Sequence, residues 1–277
     1  MSRVLHQDLG RLAAEIEGGL SDFGSALVAF SGGVDSGLVA ALARRALGDR
    51  VLAVTAAAET LAGRELDHAR ALAREIGIEH HIVTYSELED PEFTRNPKHR
   101  CYVCQGLRMS TMRGLADERG LAVVCDGTNA SDLDGAATGD RPGLRAIREQ
   151  GIRSPLAEHG LDKAATRSLA RRLGLSVWDR PANACLSSRI PHGELVTLGK
   201  LRRIEAAEEI LLQLGFQLVR VRSELGAARV EVGPDEIDRL RRQWRAVEPR
   251  LLALDFERAV LDERGYRSGG ANRPGAA

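Results

Sequence analysis

The chain is poor in aromatic residues, which fill 4% of its 277 positions, and it has no excess charge of either sign, since 39 Lys and Arg meet 39 Asp and Glu. A protein that lives on phosphate-backbone contacts carries a basic surplus, so the balance weighs against a dedicated nucleic-acid coat and leaves room only for local basic pockets. No apolar run approaches the roughly 20 residues of a membrane span. Met1 to Leu20 alternates charge with Leu and Ala and lacks a signal-peptide core, so a cytoplasmic protein with no membrane partner is expected. Cysteine is also scarce. The four, at positions 101, 104, 125 and 185, are too few to staple a chain of this length by disulfides.

What is present is the mix of a soluble globular protein, 43% apolar and 28% charged. The length suits one large domain or two modest ones. In the first half, short apolar runs (26–30, 51–55, 81–84 and 121–125) alternate with helical stretches. One of these, 63–76, sets Leu66, Ala69, Ala73 and Ile76 at three- and four-residue spacing. Continuously apolar strands are those of a parallel sheet buried on both faces, which predicts a doubly wound α/β layer. Residues 134–192 read as loops around one helix, 162–173, with Asp162 as its N-cap and Gly174 at its end. From Thr197 the pattern becomes helix (201–214), two strands (217–222 and 228–232), helix (235–254) and strand (258–261), a smaller α+β unit. The expected division is 1–175 and 176–277, with a loose tail past Asn272.

The most informative stretch is Ser31-Gly32-Gly33-Val34-Asp35-Ser36, between the strand ALVAF and a helix starting at Ser36. Two glycines allow a tight turn in which successive N–H groups face one anion, and the helix adds its positive end. Ser31 and Ser36 supply hydroxyls, and Asp35 can orient the loop or help hold Mg²⁺ beside phosphates. No Gly-Lys-Ser/Thr follows, so this is not a Walker loop. The string resembles the PP-loop of ATP pyrophosphatases. That resemblance implies a fold like the adenine nucleotide alpha hydrolases, ATP binding, and activation of a substrate oxygen by adenylation.

Further stretches narrow the resemblance. In order they are Asp126-Gly127-Thr128-Asn129, Asp140 to Arg145, Arg153-Ser154-Pro155-Leu156, Cys185 to Gly193, Val219-Arg220-Val221-Arg222 and Gly265 to Gly269. Together they are similar to the LarE family of ATP-dependent sulfur transferases of nickel-pincer nucleotide synthesis, over about residues 23–272. The resemblance implies a small-molecule substrate, pyridinium biscarboxylic acid mononucleotide, and a homo-oligomer. It also places Asp126, Gly127 and Arg141 with the nucleotide, and Glu208, Arg220, Arg222 and Glu231 at the substrate phosphate. Arg220 and Arg222 alternate along a strand and so share a face, and guanidiniums suit a substrate bearing a phosphate and two carboxylates. A solvated salt-bridge face is the other account of these four. Arg141 and Arg145 are further candidates for the pyrophosphate side.

The cysteines divide the family. One branch gives up the sulfur of its own cysteine, at the position held here by Ala184. The other carries a C-x-x-C and a third cysteine that hold a 4Fe–4S cluster open to sulfide or another sulfur donor, and Cys101, Cys104 and Cys185 fit it. Three thiolates leave one iron without a protein ligand. Zinc with His99 as fourth ligand, or self-sacrifice of Cys185, remain alternatives. Cys185, Asp35 and Arg189 are the expected catalytic residues, and Cys125 the expected buried bystander. Three rival functions stay open. An amidating PP-loop ligase leaves the cysteines without a task, a tRNA thiolase needs a basic face, and a non-catalytic nucleotide sensor keeps the loop without turnover.

Overall fold

The structure, a computed structural model, describes residues 2–137, 142–181 and 183–267. Arg141, Asp140 and the tail past Arg267, including Asn272, lie outside the described residues. In chain order the elements begin α1 (Ser2–Asp22), β1 (Ala26–Ala29), α2 (Val34–Leu47), β2 (Val51–Ala57), α3 (Gly63–Ile76) and β3 (Glu79–Thr84). Then come α4 (Pro91–Thr94), α5 (Arg100–Glu118), β4 (Val123–Cys125), α6 (Ala130–Ala137), α7 (Pro142–Glu149), α8 (Pro155–Glu158) and α9 (Lys163–Arg172). Last are α10 (Leu198–Gln213), β5 (Val219–Glu224), β6 (Ala227–Val232), α11 (Ile237–Leu252) and β7 (Arg258–Leu261).

The chain divides into two compact units, Met1–Tyr85 with Cys101–Asn183, and Ser86–Arg100 with Ala184–Ala277. In the first, four parallel strands lie in the order β3-β2-β1-β4. Alternation along each strand sends side chains to opposite faces. Ala26, Val28, Ala53 and Cys125 join Leu38, Leu42 and Leu169 in one core, whereas Leu27, Leu52, Val54 and Val124 join Met109, Met112 and Ile147 in another. Both faces are therefore covered, the doubly wound α/β arrangement expected from the apolar strands. The order runs outward from β1 through β2 to β3 and then returns to β1's other side at β4. The switch point thus lies between β1 and β4, where such folds open a crevice at the strands' carboxyl ends.

The second unit is α+β. Its three-stranded sheet pairs β5 with β6 antiparallel and β6 with β7 parallel, over a core of Leu211, Phe216, Val221, Val230, Leu240 and Val247. The division falls after Asn183 instead of after 175, and the unit also takes in Ser86–Arg100. Asn96 supplies the reason. Its side-chain amide donates to the carbonyls of Pro191 (2.7 Å) and Glu194 (3.0 Å), and its own carbonyl accepts from Gly193 N at 3.0 Å. Val196 N adds a bond to Thr94 O at 2.9 Å. Between 134 and 192 the structure has more helix than expected, since α7 and α8 accompany α9.

Candidate active site

The phosphate-type loop leaves β1 at its carboxyl end and enters α2, as its sequence requires. Gly32 has φ +73°, and a Cβ there would come within 2.7 Å of the Ala69 Cα on α3, so both torsion and packing demand glycine. Two serines close the loop. Ser36 Oγ accepts from Ser31 N (3.1 Å) and pairs with Ser31 Oγ (3.0 Å), while Gly33 N donates to Ser31 Oγ (3.3 Å). The first N–H groups of α2 have no intrahelical partner and carry the helix's positive end, which suits an oxyanion.

The adjacent strand β4 brings the second loop. A Cβ on Gly127 would lie 2.6 Å from the Ser36 nitrogen, so only glycine lets this loop approach the start of α2. Asp126 is buried, and its carboxylate accepts from Thr128 N (3.2 Å), Thr128 Oγ1 (2.5 Å) and Ser154 Oγ (2.7 Å). Burial pushes this carboxyl up from its ordinary range, against the downward pull of those hydrogen bonds. Asp126 therefore shapes the loop from within.

Asp35 is the meeting point of the first unit. Asn129 Nδ2 donates to its Oδ1 at 3.2 Å, and Lys163 Nζ pairs with its Oδ2. Lys163 opens α9, whose N-cap Asp162 accepts from Ala165 N at 2.7 Å, and Lys163 N donates to Ser131 Oγ at 3.0 Å. Side chains that are 34% and 25% exposed leave both groups partly accessible to a ligand. Sequence reasoning missed Lys163 and Asn129. A usable signal was present, because the chain has only three lysines, Lys98, Lys163 and Lys200. Arg180, also missed, forks onto Glu65 with two bonds of 2.9 Å and donates to Gly32 O at 3.4 Å, bracing the phosphate loop from α3.

The cysteines differ in setting. Cys101 is exposed and Cys104 buried, three residues apart at the start of α5, and Arg108 Nη2 lies 3.5 Å from Cys104 Sγ. Cys125 is buried at the end of β4, and burial pushes its thiol up to about 12. Cys185, in the second unit, is partly exposed with Sγ 3.2 Å from Ser187 Oγ. All four are free thiols. Among the described residues no three His, Cys, Asp or Glu are gathered into a group that could hold a metal ion. His99 pairs with Glu92 at 2.8 Å. Arg145 stacks 4.4 Å over the Tyr102 ring.

In the second unit the expected charged residues are largely engaged with one another. Arg189 and Glu208 are both 0% exposed and meet through two bonds, 2.8 and 3.1 Å. Glu208 Oε1 also accepts the Val221 N–H, a donor on the open edge of β5, at 3.2 Å. Arg222 pairs with Glu231 Oε2 (3.1 and 2.8 Å), and Arg229 bridges Glu231 to Asp262 (2.7 Å). Arg220 lies 5.2 Å from the Tyr266 ring, and burial together with the Arg189 charge lowers its pKa. The salt-bridge account describes the partners of these residues but not their exposure, since Glu208, Arg220, Arg222 and Glu231 are all buried.

An anion cradle closed by serines at the switch point of a doubly wound parallel sheet defines a nucleotide-binding α/β enzyme of the PP-loop class. The asparagine synthase family model matches residues 16–130. A solved structure, NMN synthetase from Francisella tularensis, shares the fold at a TM-score of 0.50 and 18% identity, over 63% of this chain and 75% of that one. An uncharacterized protein of Synechocystis is 43% identical over 90% of this chain and 92% of its own. Pyridinium-3,5-bisthiocarboxylic acid mononucleotide synthase of Lactiplantibacillus plantarum is 36% identical over 94% of this chain and 93% of its own. The chain belongs to the family of this last enzyme. No helix among the described residues is long and apolar enough to cross a membrane.

Proposed function

We propose that the chain is an ATP-dependent sulfur transferase that converts a carboxylate of pyridinium biscarboxylic acid mononucleotide into a thiocarboxylate. The observation that carries this is the gathering of Lys163, Asn129 and the phosphate loop around Asp35 in a member of this family. A substrate carboxylate oxygen attacks the α-phosphorus of ATP, and the bond to pyrophosphate breaks with its electron pair on the leaving group. Loop N–H groups and Lys163 neutralise the charge that develops there, a role for fixed donors in a crevice. Asp35 offers hard carboxylate oxygens to Mg²⁺, which would supply further charge neutralisation. Sulfide then adds to the acyl carbon, AMP departs, and the thiocarboxylate remains.

Cys101, Cys104 and Cys185 are proposed as ligands of a 4Fe–4S cluster. Their chemistry suits it, since all three are free thiols and the first two share one helical turn. Such a cluster, held by three thiolates, would offer exogenous sulfide an iron without a protein ligand. Cys125, with its raised pKa, is left out of the sulfur route. Cytoplasmic location and a homo-oligomer belong to the same proposal, and light scattering of the purified protein tests the latter.

The test is pyrophosphate release from ATP, measured with and without the pyridinium mononucleotide. Release that depends on this nucleotide supports the function. Release that depends on RNA favours a tRNA thiolase, and ATP binding without release favours a sensor.

A further inference from the structure

The loop that carries Cys185 is a four-residue 3-10 turn, Leu186–Arg189. Such turns have poor hydrogen-bond geometry and hold little by themselves. Ser188 N to Cys185 O (2.9 Å) and Ile190 N to Ser187 O (3.1 Å) tie its two ends. Arginines of the same unit add to this support. Arg189 Nη1 donates to the carbonyls of Ala184 (2.6 Å) and Cys185 (3.0 Å) and lies 2.9 Å from Ser188 Oγ. Arg100 Nη1 donates to Ser187 O (2.9 Å) and Arg222 Nη1 to Ser188 O (3.1 Å). Carbonyls at 184, 185, 187 and 188 thus each accept from a guanidinium.

Each arginine is itself held by a second partner. Glu208 grips Arg189, Glu231 grips Arg222, and Asn96 Oδ1 accepts from Arg100. Asn96, at φ +56°, is in turn fixed by the carbonyls it donates to at Pro191 and Glu194. Charge-assisted bonds from planar, pre-organised forks fix direction as well as distance.

We propose that Arg100, Arg189 and Arg222 form a guanidinium clamp that sets the position of Cys185, and that Arg189 and Glu208 are positioning residues for this loop and not substrate ligands. With both side chains 0% exposed and Glu208 engaged by Arg189 and by Val221 N, neither presents a face to a ligand. The role given to Cys185 rests on the proposed sulfur transfer, but the clamp itself does not.

Arg100→Gln tests it, because Arg100 belongs to the second unit and is no part of the phosphate loop, and its partners are the Asn96 amide and the Ser187 carbonyl, so the change leaves no carboxylate unpaired. In the reconstituted full chain, hydrogen exchange over 184–190 should quicken roughly tenfold, the consequence of losing a charge-assisted bond. Thiocarboxylate formation should fall about tenfold or more, as misplaced reacting groups do. Substrate-dependent pyrophosphate release and the KM for ATP should stay within about twofold, since they concern a separate step. Arg100→Lys should recover part of the transfer rate, and serves if the Gln variant does not fold. Unchanged exchange across the loop, or pyrophosphate release and sulfur transfer falling together, overturns the clamp. If wild-type protein makes no thiocarboxylate, the proposed function fails while the exchange result still decides the clamp.

Discussion

Lys163 and Asp35 stand 128 residues apart in sequence and form an ion pair beside the phosphate loop. The pair links the first turns of α2 and α9, and sets the first unit's one lysine beside the phosphate loop.

Lys163→Met should therefore depress substrate-dependent pyrophosphate release by about 100-fold or more, the usual effect of removing one preorganised donor. The melting temperature should change little, because the pair is partly exposed and contributes about 1 kcal/mol at most. Lys163→Arg should retain an intermediate rate. Steady-state kinetics with a thermal melt separate the two effects.

Gly127→Ala is expected to damage the site through backbone. The new Cβ would sit 2.6 Å from Ser36 N and 3.0 Å from the Asp35 carbonyl carbon, and neither atom can swing aside. Calorimetry should find ATP binding lost and stability reduced by about 1–3 kcal/mol, the range for overpacking. Native ATP affinity in this variant would mean that the two loops do not form the nucleotide site.

Cys125 should be inert. Its thiol is raised to about 12 from 9.0, so the folded state keeps the proton that the unfolded chain gives up. The stabilising difference is whole below pH 9 and is lost as pH climbs from 9 towards 12. Wild type should lose about 1 kcal/mol more stability than Cys125→Ala between pH 8 and 10, by linkage. Alkylation at neutral pH should spare Cys125, and Cys125→Ala should still transfer sulfur.

Cys104→Ala should abolish iron binding on anaerobic reconstitution while leaving ATP affinity intact. Metal analysis of wild type should find iron. Zinc without iron would remove the cluster from the proposal.

The doubly wound sheet was legible because its strands are continuously apolar and buried on both faces, and the phosphate loop because its glycines and serines lie between a strand and a helix. Helix α5 was not, since its buried Met109, Met112 and Ala116 keep helical spacing only over its second half, and Gly106 and Gly114 interrupt it. Lys163, Asn129 and Arg180 act through partners remote in the chain, which no local pattern displays. The same holds for Asn96 and Arg100, whose bonds carry residues 86–100 into the second unit. Arg189 and Glu208 were visible as charged residues, but their complete burial against each other was not.

The decisive measurement is anaerobic incubation of the reconstituted protein with ATP, sulfide and pyridinium biscarboxylic acid mononucleotide, followed by mass spectrometry of product and protein. The expected result is more than one equivalent of thiocarboxylate per chain, matched by pyrophosphate, with Cys185 unaltered. A single turnover with Cys185 converted to dehydroalanine would contradict the cluster route, and no substrate-dependent pyrophosphate at all would contradict the sulfur transferase itself.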